Sequence, residues 1–179
     1  MPKAALDNLA QVKAHNTPAV LVVAYGNRAY DDTFLELKET VEAVGFVCVG
    51  AVAAVTEHSI ARQYGTGRPD AQDAQVLKGY GMQIKQMLEQ AETVHCIDVP
   101  GKKPYREFSG VPVKPKASRK CTSCKVCADR CPAGAISLDN PKETDEGKCI
   151  SCMRCIAAVS YTHLDVYKRQ VLAQRRGSG

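Results

Sequence analysis

Residues 121–132 read CTSCKVCADRCP, and residues 148–155 read KCISCMRC. The first stretch places Cys121, Cys124, Cys127 and Cys131 in the spacing C-x2-C-x2-C-x3-C and closes with Pro132. The second repeats C-x2-C-x2-C with Cys149, Cys152 and Cys155, each 28 residues after its counterpart. The counterpart of Cys131 falls at position 159, where Val159 stands. A thiol-rich loop is thus repeated, and its spacing decides how the rear of the chain folds.

That spacing has a physical cause. A cubane iron–sulfur cluster has iron at alternate corners, and each iron takes one thiolate. Cysteines two residues apart in a tight loop reach three corners of one cluster. The cysteine before proline lies on the outgoing turn and reaches the other cluster. The expected ligand sets are Cys149, Cys152, Cys155 and Cys131 for one site, and Cys121, Cys124, Cys127 and position 159 for the other. One 4Fe-4S site is then complete and one lacks its fourth cysteine; the latter is expected to hold a [3Fe-4S] cluster, take an exogenous ligand or stay empty. Zinc is the alternative metal. Structural zinc sites pair two cysteine knuckles at longer separation, whereas C-x2-C-x2-C-x3-C crowds four thiolates too closely to close around one tetrahedral ion.

The rest of the cysteine usage agrees with a metal centre. Seven of the nine cysteines fall within 121–155, and the N-terminus MPKAALDNLA has no apolar core of a secretory signal. Clustered thiols without a signal point to metal binding in a reducing cytoplasm rather than a secreted disulfide framework. Cys48 and Cys96 stand apart, in FVCVG and VHCID, and read as buried small hydrophobes. No stretch approaches the roughly 18–20 apolar residues of a membrane span. The formal charge is +5, but Lys168, Arg169, Arg175 and Arg176 against Asp165 concentrate it at the end. Residues 1–158 carry 20 basic and 18 acidic groups. That balance and the sparse aromatics argue against a nucleic-acid partner.

Ahead of the cysteines the pattern is α/β. Residues 4–14 are expected to form a short helix with Leu6, Leu9 and Val12 on one face. AVLVVAY (19–25) and FVCVGAVAAV (46–55) read as strands of a parallel sheet buried on both faces. Between them a helix is expected over 33–44, capped by Asp31 or Asp32, with Phe34, Leu37, Val41 and Val44 inward and Gly45 as its stop. A second helix is expected over about 71–91, capped by Asp70, with Leu77, Tyr80, Ile84 and Leu88 as its core stripe. VHCIDVP (94–100) looks extended. The Pro- and Lys-rich segment 100–117 reads as a linker, or an arm wrapped on a neighbour.

Residues 118–158, including AGAIS after Cys131-Pro132, resemble a bacterial-type ferredoxin with two 4Fe-4S clusters, a module that passes single electrons to redox partner proteins. The stretch YGNRAYDD (25–32) follows a buried strand, the place where open α/β sheets bind ligands. It looks like the flavin-ring loop of flavodoxins. With GRPD (67–70) and the cysteine motifs, residues 2–158 resemble flavodoxin-domain ferredoxins, in which a flavodoxin-like domain is fused to a two-cluster ferredoxin. The resemblance implies a flavin contact at Tyr25, Gly26, Asn27, Arg28 and Tyr30. Against FMN in this chain stands the absence of the Ser/Thr- and Gly-rich phosphate loop after a first strand; only YGTG (64–67) offers itself, after the wrong elements. The expected organisation is the C-terminal part of a flavodoxin-like domain over 1–99, a linker over 100–117, a 4Fe-4S ferredoxin-type module over 118–158 and a tail over 159–179. Met1 is expected to fall inside the parent domain.

The tail does not look native. VSYTHLDVYKRQ (159–170) can be encoded by a DNA string that is an inverted repeat, completed when the codon of Ala158 ends in CT. It resembles two transposon ends joined head to head, as in sequencing libraries, followed by an unrelated VLAQRRGSG (171–179). Native DNA reading continuously through codons 155–179 would contradict this. Three functions follow: an iron–sulfur electron carrier, a fragment of a flavin-dependent oxidoreductase with an internal ferredoxin wire, and a zinc-binding interaction module. His58, His95 and the carboxylates form no acid–base motif.

Overall fold

The computed structural model describes residues 1–106, 111 and 113–159. The tail from 160 onward and positions 107–110 and 112 of the Pro-rich segment lie outside the described residues. The chain divides into two compact units, Met1–Phe108 and Ser109–Gly179.

The first unit begins with α1 (Lys3–Leu9), β1 (Thr17–Tyr25), α2 (Thr33–Ala43) and β2 (Phe46–Val55), followed by α3 (Ala71–Gln90). The two strands pair in parallel, Thr17 with Phe46 through Tyr25 with Val55, and a bulge between Ala19 and Val20 leaves Val49 as the extra residue. The Val-rich composition and the intervening helix explain the parallel pairing, since such strands need a crossover to join them. Leu21, Val23, Phe34, Val41 and Cys48 form the core, with Leu37, Tyr30, Ile97 and Val99 packed against it. Gly45 ends the crossover at φ 98°, and a Cβ there would stand 2.0 Å from the Ala14 carbonyl oxygen.

Four expectations are corrected. Helix α1 stops at Leu9 rather than 14, because the chain must turn so that the Ala14 N–H reaches the Val44 carbonyl at 2.8 Å. Strand β1 is buried on one face only: Leu21 and Val23 are inside, whereas Val22 is 60% exposed and Val20 37%. On that second face α3 brings Ile84 over Gly50 and Val20 but leaves Val22 open. On α3 the inward stripe is Leu77, Ile84 and Leu88, all half-buried, while Tyr80 is exposed. Cys96 is also exposed and donates to a Glu42 carboxylate oxygen at 2.7 Å, unlike Cys48, which is fully buried.

Caps and arms complete the unit. Asp70 and Asp73 form a reciprocal capping box at the start of α3, satisfying amides that a helix end leaves free. Asp32 stands at the N-cap of α2 without a side-chain cap bond. Its carboxylate instead accepts the backbone N–H groups of Lys102 (2.9 Å) and Arg106 (3.1 Å). Residues 101–106 therefore run along α2, with Lys103 and Tyr105 both reaching Glu39. The segment around 97 contributes one backbone bond to the sheet, Ile97 N–H to the Cys48 carbonyl at 2.9 Å.

The second unit is built of loops and two short helices, α4 (Val126–Asp129) and α5 (Arg154–Ala158). An isolated antiparallel bridge joins Ile136 to Thr144. Among the described residues, no helix is long and apolar enough to cross a membrane.

Candidate metal centre

The two cysteine loops share one backbone conformation. Ser123 (φ 55°) and Ser151 (φ 56°) are both left-handed, as are Lys125 (φ 67°) and Met153 (φ 58°). Each pair is separated by the same 28 residues as the cysteines. The Lys125 carbonyl accepts Ala128 N–H and Asp129 N–H, and the Met153 carbonyl accepts Ile156 N–H and Ala157 N–H. Each loop therefore runs C-x2-C through two left-handed residues into a one-turn helix that carries the third cysteine. Left-handed positions cost about 1–2 kcal/mol each for residues other than glycine. Four such positions in one small unit mark a conformation imposed by the loop's task. Alternating residues of this kind turn successive backbone N–H groups into a concave nest suited to an anion, iron–sulfur clusters included.

Two cavities lie beside these loops. The larger, about 200 Å³, is lined by Cys121, Cys124 and Cys127, and its wall includes Val159. The smaller, about 20 Å³, is lined by Cys131, Cys149 and Cys152. Pro115, Ile136, Thr144 and Cys155 line both. Cys131, although it belongs in sequence to the first loop, lines the cavity of the second, and its sulfur accepts the Ala135 N–H at 3.3 Å. Val159 faces the cavity of the first loop. Among the described residues, no three His, Cys, Asp or Glu side chains close on one point as a single ion requires.

The two loops differ in their surroundings. Ser151 and Met153 are buried at 6% and 3% exposure, whereas their counterparts Ser123 and Lys125 are exposed; Cys155 is buried and its counterpart Cys127 half-buried, while Cys124 and Cys152 are both exposed. Burial pushes the Cys127 thiol up, and it pushes Cys155 up to about 11. In both cases neighbouring thiols add to the effect, because clustered thiolates repel. Soft metal binding displaces these protons and neutralises the cluster of thiolates. Lys114 spans the second loop, donating to the Cys149 carbonyl at 2.6 Å and to Ser151 Oγ at 3.1 Å. Ser151 Oγ donates in turn to the Val111 carbonyl at 3.2 Å. Lys114, Pro115 and Ser151 were not singled out by sequence reasoning. The alternation VPVKP (111–115), with apolar residues flanking the lysine, was the available signal.

The residues present fit an iron–sulfur group: soft thiols, anion-binding turns, and walls dominated by proline, isoleucine, alanine and valine. A bound cluster would supply one-electron chemistry. The chain's own part would be to position the thiols, shield the group with Pro115 and Ile136, and donate N–H groups such as that of Ala135.

At the carboxyl end of β1, Tyr25, Gly26, Asn27, Arg28 and Tyr30 fall in one loop. Asn27 is left-handed at φ 53° and, with Arg28, exposed. Tyr30 stands edge-on to Tyr25 at 5.2 Å and to Phe34 at 5.1 Å, so its ring is engaged with the core. Gly26 packs so closely on His58 that a Cβ would meet its Cα at 2.8 Å. In the YGTG loop, the Gly67 N–H donates to the Glu57 carboxylate at 3.0 Å, and the Thr66 hydroxyl donates to the Arg62 carbonyl at 2.6 Å. These donors are satisfied within the unit.

No solved structure matches the chain. Residues 118–137, the first cysteine loop with α4 and the turn after Pro132, match the family described as the 4Fe-4S binding domain, which supports a ferredoxin-type module there, with 4Fe-4S binding and electron transfer in general.

Proposed function

We propose that the chain is an iron–sulfur electron-transfer protein with two cluster sites interlaced through Cys131. Cys131, Cys149, Cys152 and Cys155 make the complete 4Fe-4S site. Cys121, Cys124 and Cys127 make a second site that lacks its fourth cysteine, because Val159 occupies that place. The observation that carries this reading is the pair of cysteine-lined cavities with a common wall at Pro115, Ile136, Thr144 and Cys155. Two redox centres across one layer of side chains can exchange an electron directly, and the exposed first loop is where a redox partner protein docks. The module spans 118–158 and the C-terminal part of a flavodoxin-like domain spans 1–99; the Pro- and Lys-rich segment 100–117 between them is not a free linker but an arm, bound along α2 at 101–106 and to the cysteine loops at Lys114 and Pro115. The parallel β1–β2 pair around α2 supports that assignment of the front unit.

A flavin-dependent oxidoreductase is the second reading, favoured only by the position of the 25–30 loop after β1. The internally satisfied donors at Gly67 and Thr66 speak against FMN phosphate binding there. A zinc module is disfavoured by the close spacing of the thiols. Anaerobic reconstitution of the full chain with iron and sulfide separates the carrier from the zinc module, and stoichiometric binding of added FMN would favour the flavin reading. A brown product with at least about four irons and four sulfides supports the carrier. A colourless zinc-loaded product without iron overturns it, and about eight irons would overturn the impaired first site.

A further inference from the structure

Lys114 donates its side-chain hydrogen bonds to the second cysteine loop. Its Nζ lies 2.6 Å from the Cys149 carbonyl oxygen and 3.1 Å from Ser151 Oγ. Ser151 is 6% exposed and is itself fixed to the Val111 carbonyl. Among the described residues, no carboxylate pairs with Lys114; the ion pair of this region joins Lys148 to Asp145. An ammonium held by two neutral acceptors keeps its full field. The equivalent serine of the first loop, Ser123, is exposed, and among the described residues no lysine is shown donating to it.

We propose that Lys114 is a positioning and field-setting residue for the Cys131/Cys149/Cys152/Cys155 site, raising that site's reduction potential. The inference rests on the iron–sulfur reading above. Two effects follow from one contact. By bridging Cys149 and Ser151, the ammonium fixes the loop in its left-handed conformation before metal arrives. By standing beside the loop, its positive charge stabilises the added electron of the reduced state, since each reduction adds one negative charge to a thiolate-bound group. Lys114 is half-buried, so water screens this charge only in part.

The test is a potentiometric titration of the reconstituted full chain, followed by electron paramagnetic resonance, for wild type, Lys114→Met and Lys114→Arg. In Lys114→Met the reduction equilibrium of one signal is expected to weaken about tenfold, equal to about 59 mV toward lower potential for one electron. Lys114→Arg is expected to stay within a factor of about three of wild type, which is about 28 mV on the same scale. Unchanged potentials in Lys114→Met at equal iron content overturn the proposal. Should Lys114→Met fail to assemble the cluster, Lys114→Arg decides: assembly at near-native potential supports the role of the charge, and failure there overturns it. Absence of any cluster in wild type would instead overturn the iron–sulfur reading, and the two failures are told apart by the iron count of the wild-type chain.

Discussion

Lys125 and Met153 occupy equivalent left-handed positions, φ 67° and 58°, yet one is exposed and the other 3% exposed. Replacing each with glycine therefore isolates packing from backbone strain. Glycine relieves about 1–2 kcal/mol of left-handed strain and costs about 0.5–1 kcal/mol in the greater freedom of the unfolded chain. For Lys125→Gly these terms nearly cancel, and a small gain is expected. For Met153→Gly the same backbone terms apply, but a buried side chain is lost, costing about 2–5 kcal/mol with its cavity. The gap between the variants is that side-chain term, equivalent to roughly 30-fold or more in rate when the contact is lost before the barrier. The assay is anaerobic bleaching of visible absorbance in urea after reconstitution, because cluster loss is irreversible and its rate is the operational stability. Lys125→Gly should bleach no faster than wild type and Met153→Gly much faster. Equal rates for the two variants would refute the claim that the loops share a backbone but differ in burial.

Further outcomes follow from other contacts. Cys131→Ala is expected to remove the complete 4Fe-4S site, while Cys124→Ala leaves it intact; loss of the same resonance signal in both would contradict the interlacing. Gly45→Ala combines a φ of 98° with a Cβ 2.0 Å from the Ala14 carbonyl oxygen. It should destabilise the first unit by about 2–4 kcal/mol through strain and a displaced hydrogen bond, read as a lower urea midpoint by circular dichroism. The Arg68 guanidinium, with the Asp70 backbone N–H, holds the Asp73 carboxyl down to about 2. Because the folded value lies below the unfolded one of about 3.9, this contribution to α3 is complete above about pH 4 and fades as pH falls through about 2. An acid titration of helicity should show a step in that window that Asp73→Asn abolishes.

The repeated loop of the candidate site was legible because it is written in local spacing. The 28-residue repeat of cysteines reappears in the φ angles of Ser123 and Ser151 and of Lys125 and Met153. Burial was not legible, because identical serines at 123 and 151 differ only in what a distant segment places over them. Lys114 and Pro115 belong to a stretch whose proline and lysine content reads as linker, and nothing local says that it lies against Cys149. The strands and crossover helix followed from apolar runs and the Gly45 stop. The outer face of β1 did not, since a continuous run of valines is equally apolar whether or not a neighbour covers Val22. Cys48 and Cys96 sit in similar apolar contexts, yet only Cys48 is interior; Cys96 lies where the chain passes Glu42, a contact 54 residues apart.

The central claim is that these thiols hold iron–sulfur clusters rather than a lone ion. Anaerobic reconstitution of the full chain, with iron and acid-labile sulfide counted and the dithionite-reduced resonance spectrum recorded, tests it most directly. At least about four irons and four sulfides per chain are expected, with the spectrum of a reduced 4Fe-4S cluster. A chain that takes up no sulfide, or that binds only zinc and stays colourless, would contradict it.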